Sequence, residues 1–219
     1  MVKLLTEPYS IQVSNWPKTG RHILAQFDEN TVVVYQAYCP AIGLFAAEHG
    51  YFGGEFSLNR MSWIKPNFLW MMYRSGWGTK LDQEVILAVR LLRSAFDQLL
   101  ASAVHSKFIP EVYGSETEWE QAVKNSAVRL QWDPDHHPSG AKLERRAIQL
   151  GLRGSVLASY ARDWIVDIED ISEFVQQHRQ YNGGDRPELL IPRETVYPVI
   201  DPDVSQRLRL SISQQYKNN

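Results

Sequence analysis

The segment from Arg60 to Lys80, RMSWIKPNFLWMMYRSGWGTK, sets Trp63, Trp70 and Trp77 seven residues apart among Arg60, Lys65, Arg74 and Lys80. Flat indole rings stack on a base or a nicotinamide, and arginine and lysine hold phosphates, so together these residues have the chemistry of a nucleotide site. No acidic residue falls between Phe56 and Leu81 to neutralise the four cations, and the stretch concentrates positive potential. The competing reading is a buried stripe, because seven residues return a helix to the same face within roughly 20°. Pro66, Gly76 and Gly78 break a continuous helix, since proline disrupts a helix interior and glycine disfavours one. The expectation is a short element from Pro66 to about Tyr73, buried around Trp70, with a cation and ring pair at each end.

Other residues are candidates for the rim of such a site. Gln131 and Asp133 fall at the end of an expected strand as hydrogen-bonding groups. Arg145, Arg146, Gln149 and Arg153 form a second cationic cluster in a segment readable as helix or strand; if helical, Arg146, Gln149 and Arg153 align on one face and serve phosphate binding, or else surface ion pairs. Asp133, Asp135, His136 and His137 are metal-ligand types, but adjacent histidines rarely reach one ion, and no metal is predicted. Cys39 lacks a histidine and acid pattern that would activate it, and Asp170 reads as a helix cap. Phosphate-binding glycine loops, Gly-x-Ser-x-Gly and paired zinc cysteines do not occur, which removes several enzyme classes.

These residues must be positioned by a mixed set of elements. Thr31 to Tyr38 is β-branched and aromatic and reads as a strand, followed by a helix over residues 41–50. Apolar residues from Val85 to Ala103 recur at three and four, predicting a core helix over 82–103. Ser115 to Glu118 is a capping box for a further helix, Val128 to Trp132 a strand stopped by Asp133-Pro134, and Trp164 to Ile168 another strand. Helices are expected over 155–162 and 170–180, with the turn Asn182-Gly-Gly-Asp185 ending the last. Pro187, Pro192, Pro198 and Pro202 predict an extended, surface-wrapping tail that frays at its polar end. The expected fold class is α+β: an N-terminal arm over 1–20, one compact domain over 21–200 with a mixed or antiparallel sheet and packed helices, and a tail over 201–219.

A net charge of −2 argues against broad duplex DNA binding, which needs a large positive excess. No run approaches the roughly 18 apolar residues of a membrane span, so no membrane partner is expected. A lone cysteine and the lack of a signal-like start predict a cytoplasmic protein.

The strings Val33 to Tyr38, Arg60 to Trp77, Gln131 to Pro134 and Ile148 to Arg153 resemble the hallmark strings of the domain-of-unknown-function family four-two-nine-one, over about residues 20–200. The strand, helix and glycine from Val32 to Gly50 are similar to the opening of ADP-ribosyltransferase-like domains. That second resemblance implies an ADP-ribosyltransferase-like fold, NAD as cofactor, Tyr35, Gln36 and Tyr38 at the nicotinamide, and Glu169 as an acid. The sequence departs from it where Gln36 replaces the usual histidine or arginine, and no Gln-x-Glu or Glu-x-Glu string ends the last strand. The expected function is binding of a nucleotide or RNA end, with Arg60, Lys65, Arg74 and Arg146 on phosphates, Tyr35, Trp63 and Trp77 on rings, and Gln36 or Glu169 on the ribose. An NAD-dependent transferase acting on RNA, protein or a small molecule is one form of it. The alternatives are a non-catalytic single-stranded RNA-binding module and a structural interaction protein.

Overall fold

Two strands carry apolar residues on both faces, and the rest of the α+β fold is arranged about them in a computed structural model that describes residues 4–183 and 188–211. The chain begins with β1 (Thr6–Pro8), α1 (Tyr9–Asn15), β2 (Gly20–Arg21) and β3 (Leu24–Ala25), and enters β4 (Thr31–Tyr38). Next come α2 (Pro40–His49), β5 (Ser62–Ile64), α3 (Phe68–Ser75), β6 (Val85–Leu92), α4 (Arg93–Ser102), β7 (Val104–His105), α5 (Pro110–Tyr113) and α6 (Glu116–Asn125). The long strands β8 (Val128–His136) and β9 (Lys142–Leu152) precede α7 (Gly154–Arg162), β10 (Ile165–Asp170), α8 (Ser172–Arg179), β11 (Leu190–Pro192), β12 (Thr195–Val196) and α9 (Pro202–Arg207).

β6 is the centre of an antiparallel sheet in the order β10-β6-β4, with Tyr35 opposite Ala88 and Ala88 opposite Glu169. This corrects the expected helix over 82–103. Val85 to Leu91 are all buried, and a strand covered on both faces reads as a continuous apolar run in which helical spacing arises by chance. Only the second half, α4, is helical.

A second sheet runs β2-β9-β8-β7, and β5 pairs with the C-terminal half of β9. β8 continues to His136 rather than stopping at Asp133-Pro134, because a register shift between Pro134 and His136 absorbs the proline. Segment 145–150 is strand. Arg146 and Gln149 therefore point to opposite faces of the sheet, since side chains alternate along a strand.

One core lies on the side of Val32, Val34, Leu87, Val89, Leu130, Ile148 and Leu150, under α4 and α7. The other gathers Val33, Tyr35, Ile86 and Ala88 with α3, Tyr9, Trp16 and Ile191. The expected N-terminal arm thus contributes α1 and two buried rings. The tail is extended at β11 and β12, as the prolines predicted, but it does not stay on the surface: Leu189, Ile191, Glu194 and Tyr197 are buried, and the chain then forms α9, whose Val204 is buried beside Leu208. The turn residues 184–187, with Pro187, and the polar end 212–219 lie outside the described residues. No described helix is long and apolar enough to cross a membrane.

The tail also fixes α3. Glu194 is buried; its Oε1 accepts the Phe68 N–H at 2.6 Å and its Oε2 accepts the Asn67 amide at 2.9 Å, while Asn67 Oδ1 caps the Trp70 N–H at 2.7 Å. A carboxylate at a helix N-terminus meets unsatisfied donors and the positive end of the helix dipole. Burial raises the Glu194 carboxyl well above the usual range, with the Phe68 N–H and Asn67 amide opposing. Replacing Glu194 by alanine strips buried donors of their acceptor, and chemical denaturation should show a loss of about 2–4 kcal/mol.

Candidate functional site

The two sheets meet at one pair of backbone hydrogen bonds. The Tyr35 N–H donates to the Lys65 carbonyl at 2.7 Å, and the Lys65 N–H donates back to the Tyr35 carbonyl at 3.3 Å. Beyond this bridge β4 and β5 do not continue as a ladder. The Gln36 side chain takes the place of the next backbone partner, its Nε2 reaching the Trp63 carbonyl at 3.3 Å. Between the parted strands and α3 opens a cleft of about 540 Å³, lined among others by Gln36, Tyr38, Arg60, Trp63, Lys65 and Arg74.

Lys65 is 5% exposed and lines this cleft, and its amine has no hydrogen-bond or ion-pair partner among the described residues. Arg60 and Arg74, both exposed, line the same cleft and are likewise free of carboxylate partners among them. None of the lining residues is acidic. Burial, with the Arg74 charge adding to it, pulls the Lys65 amine down to about 8, and Asp133 opposes the shift. Three cations around one cleft whose lining holds no carboxylate favour an anionic ligand.

The wall opposite is set by Asp133. Its Oδ1 accepts the Gln131 Nε2 at 2.8 Å and its Oδ2 accepts the Gln149 Nε2 at 2.7 Å. Both amides are thereby turned so that their carbonyl oxygens remain available as acceptors, an orientation dictated by an acceptor-only carboxylate. Trp63 lies on the same face of the sheet, opposite Gly151. A Cβ at Gly151 would meet the Trp63 ring at 3.0 Å and Met61 Sδ at 2.6 Å, so the missing side chain lets the half-buried indole lie close against β9.

Behind the cleft, Gln36 is held from both ends. The Tyr160 hydroxyl donates to its Oε1 at 2.5 Å, and its Nε2 donates to the Tyr38 hydroxyl at 2.7 Å and Ser62 Oγ at 2.9 Å. Tyr38 and Ser62 share a further bond of 2.7 Å. Burial pushes the Tyr38 phenol up to about 12, with Ser62 and Arg60 opposing, so its proton stays in place at neutral pH.

Of the residues expected from sequence, the structure brings Gln36, Tyr38, Arg60, Trp63, Lys65, Arg74, Gln131 and Gln149 to this cleft. Asp133 stands behind Gln131 and Gln149 in its wall, and the others lie elsewhere. Tyr35 is wholly buried against Phe68, and Trp77, in the left-handed region at φ 56°, packs edge-on to Phe68 with its indole N–H on the Pro138 carbonyl. Lys80 caps the C-terminus of α3 through the Arg74 carbonyl at 2.6 Å, and Arg153 does the same for α6 through Ser126 at 2.9 Å. Arg146 is exposed and set against Arg21 rather than Lys65. Glu169 is separated from Lys65 by Tyr35 and Ala88 along one row of the sheet, about 14 Å at ordinary strand spacing. Arg145, named with the second cluster, is buried in an ion pair with Asp135 at 2.6 Å. His136 stacks on Tyr73 while His137 bonds Ser139, and no group of three metal-ligating side chains occurs among the described residues. Sequence reasoning missed Ser62, Met71 and Gln83, which line the cleft, and Tyr160. Ser62 and Tyr160 enter through Gln36, distant in the chain, and Met71 and Gln83 carry no residue type that marks a site.

The family profile of the domain of unknown function (DUF4291) matches residues 22–197, and the chain belongs to that family. No curated protein matches it.

The buried amine makes stability depend on pH with a definite sign. The unfolded chain keeps the Lys65 proton up to about 10.5 and the folded one releases it near 8. Between these values the unfolded state binds more protons, so stability rises with pH through the window. Replacing Lys65 by methionine should therefore stabilise the protein at pH 7 by about 1–3 kcal/mol. Denaturation curves at several pH values should show the gain shrinking from pH 8 upward.

Proposed function

We propose that this family member binds a phosphate-bearing nucleotide in the cleft between β4, β5 and α3. The carrying observation is the unpaired trio of Lys65, Arg60 and Arg74 around a cleft without acidic lining. Guanidinium and ammonium groups provide charge-assisted bonds to phosphate oxygens. Trp63 supplies a ring for stacking beside the sheet, and the carbonyl oxygens of Gln131 and Gln149 accept from the amino group of a base. The volume suits a small nucleotide, since ligand pockets run from about 300 to 1,000 Å³.

NAD falls within this ligand class, but the reading includes no transfer of its ribosyl group. Such a step needs a carboxylate beside the developing positive charge, and Glu169 lies beyond Tyr35 and Ala88 from Lys65. Gln36 supports the cleft wall through Tyr160, Tyr38 and Ser62 rather than standing free.

Calorimetric titration with ADP, NAD, adenosine and a single-stranded oligonucleotide, at two salt concentrations, tests the reading. ADP and NAD should bind, adenosine should bind at least about tenfold more weakly, and affinity should fall with salt. Replacing Arg74 by alanine should weaken ADP by about 1–2 kcal/mol. Equal affinity for adenosine and ADP, or binding of the oligonucleotide alone, would overturn the proposal.

A further inference from the structure

The cleft contains a group that phosphate binding does not fully account for. Arg60 and Arg74 are exposed at the cleft and suffice to meet a phosphate, whereas the Lys65 amine lies at its buried end. A lysine there would ordinarily be paired with a carboxylate. Asp133, the acidic group whose charge acts on it, has its two oxygens bonded to Gln131 and Gln149.

We propose that Lys65 is a nucleophile that condenses with the aldehyde or ketone carbonyl of a phosphate-bearing reducing sugar, forming an imine. Desolvation together with a neighbouring cation is a recognised way to keep a lysine amine neutral and reactive, and both operate on Lys65, the cation being Arg74 of α3. Arg60 faces the cleft from the segment before β5, and Asp133 of β8 is the acidic group whose charge opposes the effect. The Tyr38 hydroxyl on β4 retains its proton. In the condensation, Nζ attacks the carbonyl carbon and forms a C–N bond while the π pair moves to oxygen. Both amine hydrogens leave with that oxygen as water, and a C=N bond remains. No oxidant or reductant is consumed, and hydrolysis reverses the step.

The substrate class rests on the nucleotide reading only in that Arg60 and Arg74 hold its phosphate. A nucleoside diphosphate ending in a reducing sugar satisfies both requirements, so ADP-ribose is a suitable probe. The full-length protein is incubated with ADP-ribose, or with uncharged propionaldehyde, and cyanoborohydride, and adducts are located by peptide mass spectrometry. Lys65 should be modified at least about tenfold faster than Lys18 or Lys107, with a rate that rises through pH 8 rather than 10.5. ADP should protect it, and Lys65→Arg should lose the adduct while its denaturation curve shows it folded. Adducts spread evenly over the lysines, or none on Lys65 while ADP binds, would overturn the proposal. Selective labelling by propionaldehyde without any ADP binding would uphold the reactive amine and remove the nucleotide reading alone.

Discussion

The two hydrogen bonds between Tyr35 and Lys65 are the constraint on which the site depends. They join β4, buried on both faces, to a sheet that is polar on one face, and they end the strand pairing at that point. Residues paired across an antiparallel bridge point to the same side of a sheet. Tyr35 therefore fills the core beneath α3, and Lys65, on the same side, is carried into the gap where the strands part. An amine that would avoid burial if its backbone were free is held there by its own main chain. The cost of that placement is met by the packing of the rings and aliphatic chains on both faces of β4 and β6.

Support for the gap comes from distant parts of the chain. Glu194, near the C-terminus, anchors the start of α3 and so places Arg74 one helix length away at the mouth of the cleft. Tyr160 on α7 holds Gln36 from the opposite core. Asp133 orients two glutamines on adjacent strands. Each of these groups acts through another side chain, and each spends a buried or half-buried polar group on orientation. That is the pattern expected where a wall must present fixed hydrogen-bonding groups.

Sequence displayed part of this directly. Pro66 and the paired glycines correctly divided the tryptophan repeat, with α3 carrying buried Trp70 and with Trp63, Lys65 and Arg74 at its margins. The division misplaced Trp77, because a non-glycine residue at positive φ turned its ring inward to Phe68. Local signals such as the Ser115 capping box and the Gly50 helix end are written in adjacent residues and were legible. β6 was not, since burial on both faces erases the two-residue period that marks a strand. Nor was the Glu194 cap legible, because a contact across 126 residues leaves no local trace. Arg146 and Gln149 would align only on a helix; the segment forms β9, and a strand sets them on opposite faces.

The account centres on an amine kept short of a counter-charge until an anion arrives. Carbon-13 NMR of lysine-labelled protein, with the Lys65 Cε signal assigned through Lys65→Arg, reads that condition directly. Without ligand the signal should titrate near pH 8. With saturating ADP or pyrophosphate the midpoint should rise by about one pH unit or more, because an adjacent anion favours the charged amine. A free-state midpoint near that of an ordinary lysine, or one that does not move under either anion, would contradict it.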